Sequence, residues 1–281
     1  MSLKLFRGEA AKGVPRVGAR LDKYRITKRM GQGGFSTVFA ATDLIEDRRV
    51  ALKIPDLADG DEATMEHLHR ETRIMARMDH PTVLPLKDAR YINGHFVMVF
   101  PLGEETLDER LERRIKRVDA MAMAMQLIDA VAYLHRRKIL HRDIKPENFL
   151  VFADGSVQLG DFGLARWENQ AYDISASGTL GYIAPEQAMG KPTFRSDVFS
   201  LGLVLYRLFA GEVPEYPFTK LPAFNKLRRG LSQDFVALIR KSLDPTPSRR
   251  FRDASAMHNA ALRIRNPLSY RAAKVSIKRA A

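Results

Sequence analysis

The sequence predicts an α+β chain of two unlike lobes, a small strand-rich one followed by a larger, mainly helical one. Three observations carry this expectation. Residues 24–99 hold short runs in which apolar and polar side chains alternate, as in half-buried strands. Beyond Gly103 the apolar residues recur at helical spacing instead. The change of character falls within Phe100–Gly103, so a cleft between the lobes is expected there, and clefts of that kind commonly hold ligands.

Taken in order, residues 1–20 read as a loosely ordered basic leader and 21–266 as the folded domain, with a first lobe over 21–99, a hinge over 100–103 and a second lobe over 104–266. Residues 267–281 form a basic tail. Ile26, Lys28 and Met30 alternate ahead of a glycine cluster, and Thr37–Ala41, Val50–Ile54 and His95–Phe100 are strand-like. One helix interrupts them, from about Glu62 to Met78, with Asp59 or Asp61 available as its cap. Helices are then expected over Leu107–Arg117, Asp119–Arg136, Val198–Gly211, Gln233–Leu243 and Ala254–Arg265. No internal repeat stands out.

Composition narrows the function. Hydrophobic residues make up 45% and charged residues 28% of the 281, which suits a folded chain rather than a disordered one. The absence of cysteine excludes disulfides, thiolate nucleophiles and cysteine-ligated zinc, and fits a cytoplasmic location. The N-terminal sixteen residues lack the apolar core of a signal peptide. The strongest apolar run, Val198–Ala210, is too short for a bilayer and contains Arg207, so a buried helix and no membrane span are expected. The net charge is +13, and after Asp253 no acid follows while Arg263, Arg265, Arg271, Lys274, Lys278 and Arg279 do. That end reads as a solvated helix and a frayed basic terminus, with an acidic partner as the functional alternative. No aromatic interleaving accompanies the charge, so nucleic acid is not the expected ligand.

The segment Met30-Gly31-Gln32-Gly33-Gly34-Phe35-Ser36-Thr37-Val38 lies between two strand-like runs. Glycines let backbone N–H groups approach phosphate oxygens closely, though plain turns use the same residues. A dinucleotide fingerprint would open a helix here, whereas a strand-like run follows, and the sole Gly-Lys pair, Gly190-Lys191, runs into Pro192 rather than the Ser or Thr of a Walker loop. Val50-Ala51-Leu52-Lys53 is an apolar strand ending in a lysine fifteen residues beyond Val38. A lysine on a buried strand needs an anionic partner to offset its desolvation. Phosphate oxygens are one, and a carboxylate of the following helix is another. Glu71 fits best because Leu68, Glu71, Met75 and Met78 share a helical face, with Glu66 as the fallback.

His141-Arg142-Asp143-Ile144-Lys145-Pro146-Glu147-Asn148-Phe149-Leu150 is the most informative stretch. Asp143 can accept a hydroxyl proton, Asn148 can offer a carbonyl oxygen to a hard cation, and Lys145 can neutralise a moving phosphoryl group. Ten residues on, Gly160-Asp161-Phe162-Gly163 presents a carboxylate suited to a metal.

These segments, followed by Ala184-Pro185-Glu186, resemble the eukaryotic-type (Hanks-type) serine/threonine protein kinase family in order and spacing, compact bacterial members among them. The resemblance covers about Tyr24 to Arg265. It implies a two-lobed kinase fold that transfers the γ-phosphoryl group of ATP to protein hydroxyls with Mg2+. It also implies that Lys53 holds the α- and β-phosphates and pairs with Glu71, that Asn148 and Asp161 hold magnesium, and that Asp143 takes the substrate proton. Val38, Ala51 and Leu150 would sandwich the adenine, with Val99 at the gatekeeper position and Phe100 to Leu102 along the hinge. Pro101 has no N–H, so the hinge donor would come from Leu102. Lys145-Pro146-Glu147-Asn148 and Gly178-Thr179 resemble serine/threonine rather than tyrosine kinases. Arg142 beside the catalytic acid implies regulation by a phosphate in the activation segment, with Ser175 and Ser177 as acceptors. Asp197 is expected to tie the catalytic loop, and Glu186 to pair with Arg250 or Arg249.

Four positions depart from the family pattern. Ser36 replaces the third glycine of the loop, Phe100 replaces an acid at the first hinge position, Thr106 stands where an acid often meets ribose, and Gly160 puts a small residue just before Asp161, behind the metal site. None removes a catalytic group. A pseudokinase scaffold would lack Lys53, Asp143 or Asp161, and a small-molecule phosphotransferase would lack the Ala-Pro-Glu closure; this sequence has all of these.

Overall fold

The computed structural model describes residues 14–32, 36–56, 62–161, 180–214, 224–228 and 230–268. These form two compact units: one comprises the described residues up to His80 together with Leu84–Leu102, the other Pro81–Val83 and the described residues from Gly103 onward.

The first unit is an antiparallel six-stranded sheet in the order β1-β2-β3-β4-β6-β5 with one helix. Its strands are β1 (Arg20–Leu21), β2 (Tyr24–Gln32), β3 (Ser36–Asp43), β4 (Arg48–Pro55), β5 (Asp88–Ile92) and β6 (His95–Pro101). α1 runs from Glu62 to Met75. Strand alternation sorts the side chains cleanly into two faces. Tyr24, Ile26, Phe39, Ala41, Val50, Leu52, Ile54, Val97 and Val99 form one buried cluster. The opposite face carries Val38, Ala51, Lys53, Met98 and Phe100, as the register Val38↔Lys53↔Met98 and Ala51↔Phe100 requires. α1 lies against the β5–β6 part of that second face, where Thr72 Oγ1 meets Met98 Sδ at 3.8 Å and His69 packs edge-on against Phe96 and Tyr91.

Backbone pairing with the sheet begins before residue 21. Gly18 N–H donates to Ile26 O (3.0 Å) and Ile26 N–H to Ala19 O (2.9 Å), so part of the expected leader is sheet edge.

The second unit holds β7 (Glu105–Thr106), β8 (Phe149–Val151) and β9 (Val157–Leu159) in one small sheet. Around it lie α2 (Leu107–Leu111), α3 (Arg117–Arg136), α4 (Pro185–Ala188), α5 (Phe194–Ala210), α6 (Asn225–Arg228), α7 (Gln233–Ser242) and α8 (Ala254–Leu262). α5 is buried along nearly its whole length, as an all-round apolar sequence demands. It starts at Phe194, four residues before the expected Val198, because Thr193 caps it and Ser196 returns the bond. It stops at Gly211, whose φ of 83° places it in the left-handed region that ends a helix. Among the described residues no helix is long and apolar enough to cross a membrane.

Candidate active site

In the first unit the strand register decides which expected residues share a face. Gly31, Val38, Ala51 and Lys53 do, with Lys53 half-buried. Ser36 opens β3 opposite Pro55, and Met30 at the end of β2 is largely exposed. Val99 does not belong with them. It stands opposite Leu52 and its side chain enters the core cluster, so Met98 and Phe100 are the β6 side chains on the Lys53 and Ala51 face. The period of two allows no other outcome once Lys53 pairs with Met98. On α1, Glu71 is buried together with Leu68 and Met75, as is Met78 just beyond the helix, which ends at Met75 rather than at the expected Met78; Glu66 is exposed. Gly33 and Gly34 lie outside the described residues, as do Asp59, Asp61, Phe162, Gly163, Ser175, Ser177 and Thr179.

The second unit builds its part around a buried carboxylate. Asp197, in the first turn of α5, is 1% exposed. Its Oδ2 accepts from His141 N–H (2.7 Å) and from His135 Nε2 (3.0 Å), and its Oδ1 accepts from Arg142 N–H (2.9 Å). His135 Nδ1 in turn accepts from Ala254 N–H at 2.8 Å, which fixes the imidazole proton on Nε2, facing Asp197. Burial alone would raise the Asp197 carboxyl, but the hydrogen bonds from His135 and His141 hold it below the ordinary carboxylate range. His135 carried no signal in the sequence beyond its place on the buried face of a helix.

This anchor holds a strained loop. Arg142 has φ 67°, a conformation costing a non-glycine residue about 1–3 kcal/mol. Asp197 takes its N–H, and the Gln187 amide, which the sequence did not single out, donates to its carbonyl at 2.5 Å. The His141 ring joins the two functional segments, since its Nδ1 accepts from Asp143 N–H (3.2 Å) and its Nε2 donates to Gly160 O (3.2 Å).

Within the loop Asp143, Lys145 and Asn148 meet. Lys145 Nζ and Asn148 Nδ2 both lie 3.0 Å from Asp143 Oδ2, and Asn148 Nδ2 also donates to Asp143 O at 2.7 Å. Asp143 and Asn148 are buried. Gly160 N–H donates to Asn148 O at 2.9 Å, which puts Asp161, with φ 48°, one residue from the cluster. Leu150 continues from it on β8, and Gly103 packs so tightly there that an added Cβ would meet Leu150 Cβ at 3.0 Å.

This donor set suits magnesium. The Asn148 amide nitrogen is committed to Asp143, leaving its oxygen as the free ligand, and Asp161 adds a carboxylate. One or two protein oxygens are the usual complement for magnesium when substrate phosphates and water complete the shell. Among the described residues no group of three or more His, Cys, Asp or Glu side chains is arranged to hold a metal by itself.

Two scaffold contacts complete the unit. Arg250, 3% exposed, forks onto Glu186 at 2.7 and 3.2 Å, so Arg250 rather than Arg249 is its partner. Arg207 of α5 reaches Asp108, Glu112 and the Tyr182 hydroxyl. Burial, above all, pushes the Tyr182 phenol up to about 12. Glu105 pairs with Arg113, and Thr106, instead of facing a ligand, caps α2 in a reciprocal pair with Glu109. Glu105, Asp108 and Glu109 are thus engaged within the fold.

The protein kinase domain family matches residues 24–261, and the chain belongs to the protein kinase family, in its Hanks-type serine/threonine class. It is 34% identical over 253 residues to CBL-interacting serine/threonine-protein kinase 26 of Arabidopsis thaliana, covering 84% of this chain and 58% of that one. It is 33% identical over 256 residues to the human calcium/calmodulin-dependent protein kinase type 1B, covering 84% and 74%. The chain spans about half the length of the plant relatives it matches. Among solved structures it resembles the apo form of PpkA-294, with TM-score 0.73 at 24% identity, covering 89% of this chain and all of that one. The kinase domain of Mycobacterium tuberculosis PknI follows, with TM-score 0.67 at 23% identity and coverage of 89% and 99%. At those identities the structures bear on the fold alone.

Proposed function

We propose that this chain is an active serine/threonine protein kinase that transfers the γ-phosphoryl group of Mg-ATP to protein hydroxyls. The observation that carries the reading is the convergence of Lys145 Nζ and Asn148 Nδ2 on one oxygen of Asp143, each at 3.0 Å. A carboxylate so held has its second oxygen free to orient an incoming hydroxyl and accept its proton. Lys145 beside it offsets charge on the phosphoryl group in transit. Phosphoryl transfer needs mainly positioning and such neutralisation, so a strong base is not required. Magnesium, when bound, neutralises the phosphate oxygens, and Asn148 and Asp161 are the residues that hold it.

In the first unit Lys53 takes the α- and β-phosphates and Glu71 fixes the lysine. Gly31, Gly33, Gly34 and Ser36 supply backbone to the phosphates, with Met30 at the edge of the loop. Val38, Ala51 and Leu150 contact the adenine, and the Leu102 N–H is its hinge donor. Met98 and Phe100 border that surface in place of Val99, because their strand positions face Lys53 and Ala51. Arg142 responds to phosphate in the activation segment on Ser175 or Ser177.

The test is transfer of labelled phosphate from γ-labelled ATP to a mixed peptide library, with wild type and Asp143→Ala compared. Label on serine and threonine that the substitution lowers about 10²–10⁴-fold supports the reading. Equal transfer by both proteins, or label confined to tyrosine, overturns it. Changing Ser175 and Ser177 together to alanine should lower the rate of protein that has been allowed to autophosphorylate; an unchanged rate removes the regulatory part.

A further inference from the structure

The sheet face that carries Val38, Ala51 and Lys53 continues past them into a row of arginines. Arg20 stands opposite Arg25, Arg25 opposite Thr42, and Thr42 opposite Arg49, so four adjacent strands place three guanidinium groups and a hydroxyl side by side. Arg20, Arg25 and Arg49 are all exposed. Strands lie about 4.8 Å apart, so Arg25 is roughly 5 Å from Arg20 and 10 Å from Arg49 at the backbone. Arg49 precedes Ala51 by two residues, roughly 7 Å along β4 on the same face.

Like charges directly opposite on neighbouring strands destabilise a sheet, so this arrangement wants an anion. The nearby acids are used elsewhere. Asp43 is buried on the other face and bound to Lys23 at 2.7 Å; Glu46 pairs with Lys23 and Arg48; Asp22 pairs with Arg90 at 2.7 Å. Arg20 has a hydrogen bond to Asp22 O through its Nε, and the exposed Asp47 in the turn between β3 and β4 is one charge against three.

We infer that this row is a docking surface for an extended, carboxylate-rich segment of a protein partner. An acidic strand laid across β1–β4 meets a guanidinium at each end and at one point between, with forked donors that suit carboxylates. The outward side chains of the row include no aromatic ring on which a base could stack, so a protein carboxylate is favoured over single-stranded nucleic acid.

The experiment uses the full chain and a fluorescein-labelled hexaglutamate peptide, with anisotropy measured at low and at 0.5 M salt, both chosen as about one Debye regime apart. Wild type is expected to bind at low salt and to lose most of its affinity at high salt. Arg20→Gln/Arg25→Gln/Arg49→Gln should weaken binding at least about 10-fold, and the matching Glu triple variant further still. Far-UV circular dichroism and thermal unfolding establish that each variant is folded; if the Glu variant is not, the Gln variant alone decides. Equal affinity in wild type and the Gln variant overturns the inference, as does the absence of binding by wild type. A thymidine 12-mer bound more tightly than the peptide, and lost in the same variants, overturns it in favour of nucleic acid. Phosphoryl transfer to a neutral peptide should be unchanged in the Gln variant, which separates this surface from the proposed catalytic residues.

Discussion

Asp197→Ala should be among the most damaging substitutions outside the proposed catalytic residues. The carboxylate accepts three hydrogen bonds, at 2.7, 2.9 and 3.0 Å, from two loop N–H groups and an imidazole, and it is 1% exposed. Removing it leaves three donors without their acceptor, at about 1–3 kcal/mol for each buried group. Partial entry of water reduces the sum to roughly 3–6 kcal/mol, a large share of the 5–15 kcal/mol that holds a typical domain together. For a chain of this size that corresponds to a fall in Tm of about 6–20 °C. Urea unfolding followed by circular dichroism measures it. The sign of the pH dependence also follows. Asp197 has a folded pKa below its unfolded value, so its contribution is complete above about pH 4 and is lost as pH falls through the lower, folded value. The gap between wild type and Asp197→Asn should therefore narrow below about pH 4. A loss under about 1 kcal/mol for Asp197→Ala, or a gap that widens in acid, would refute this picture of the loop anchor.

Arg250→Ala should cost about 3–5 kcal/mol, because it leaves Glu186 without its counter-charge, held by the Ser196 hydroxyl alone, and removes donors to Asp244 O and Arg195 O as well as a ring contact with Phe199. Arg250→Lys should rescue little of it in the same unfolding assay, since an ammonium cannot reproduce the fork. Gly202→Ala should cost about 1–3 kcal/mol, because the new methyl would run into Ser242 Oγ and meet Leu243 Cδ2 at 3.0 Å where α5 crosses α7. Thr106→Ala should lower Tm modestly, by the roughly 0.5–2 kcal/mol of a lost helix cap, without changing the affinity for ATP.

The parts of the fold that were legible in the sequence are those where an apolar run of strand length stands out from polar surroundings. β3, β4 and β6 are such runs and were placed within two residues at either end. β5 escaped notice because four of its five residues are neither buried nor exposed, so Asp88–Tyr91 shows no alternation to read. The helix expected over Leu107–Arg117 stops at Leu111, because Arg113 folds back to Glu105 and a new helix starts at Arg117. Short polar segments of that kind are governed by individual ion pairs, which periodicity does not reveal. In the site, residue types and spacing pointed to Asp143, Lys145 and Asn148, whose mutual contacts the structure displays. Val99 was misplaced because which face a strand residue occupies depends on pairing with its neighbour, and a shift of one residue reverses it. His135 and Gln187 act on the loop from distant elements, at separations of 62 residues from Asp197 and 45 from Arg142, beyond the reach of any local pattern.

The most direct measurement is the single-turnover rate of phosphoryl transfer from bound Mg-ATP, compared between wild type and Asp143→Asn at equal nucleotide occupancy. Nucleotide affinity should be preserved in the variant, with the transfer rate lower by about 10²–10⁴-fold. A variant that transfers at the wild-type rate, or a wild-type chain that transfers none, would contradict the assignment of Asp143 and its two partners as the centre of the reaction.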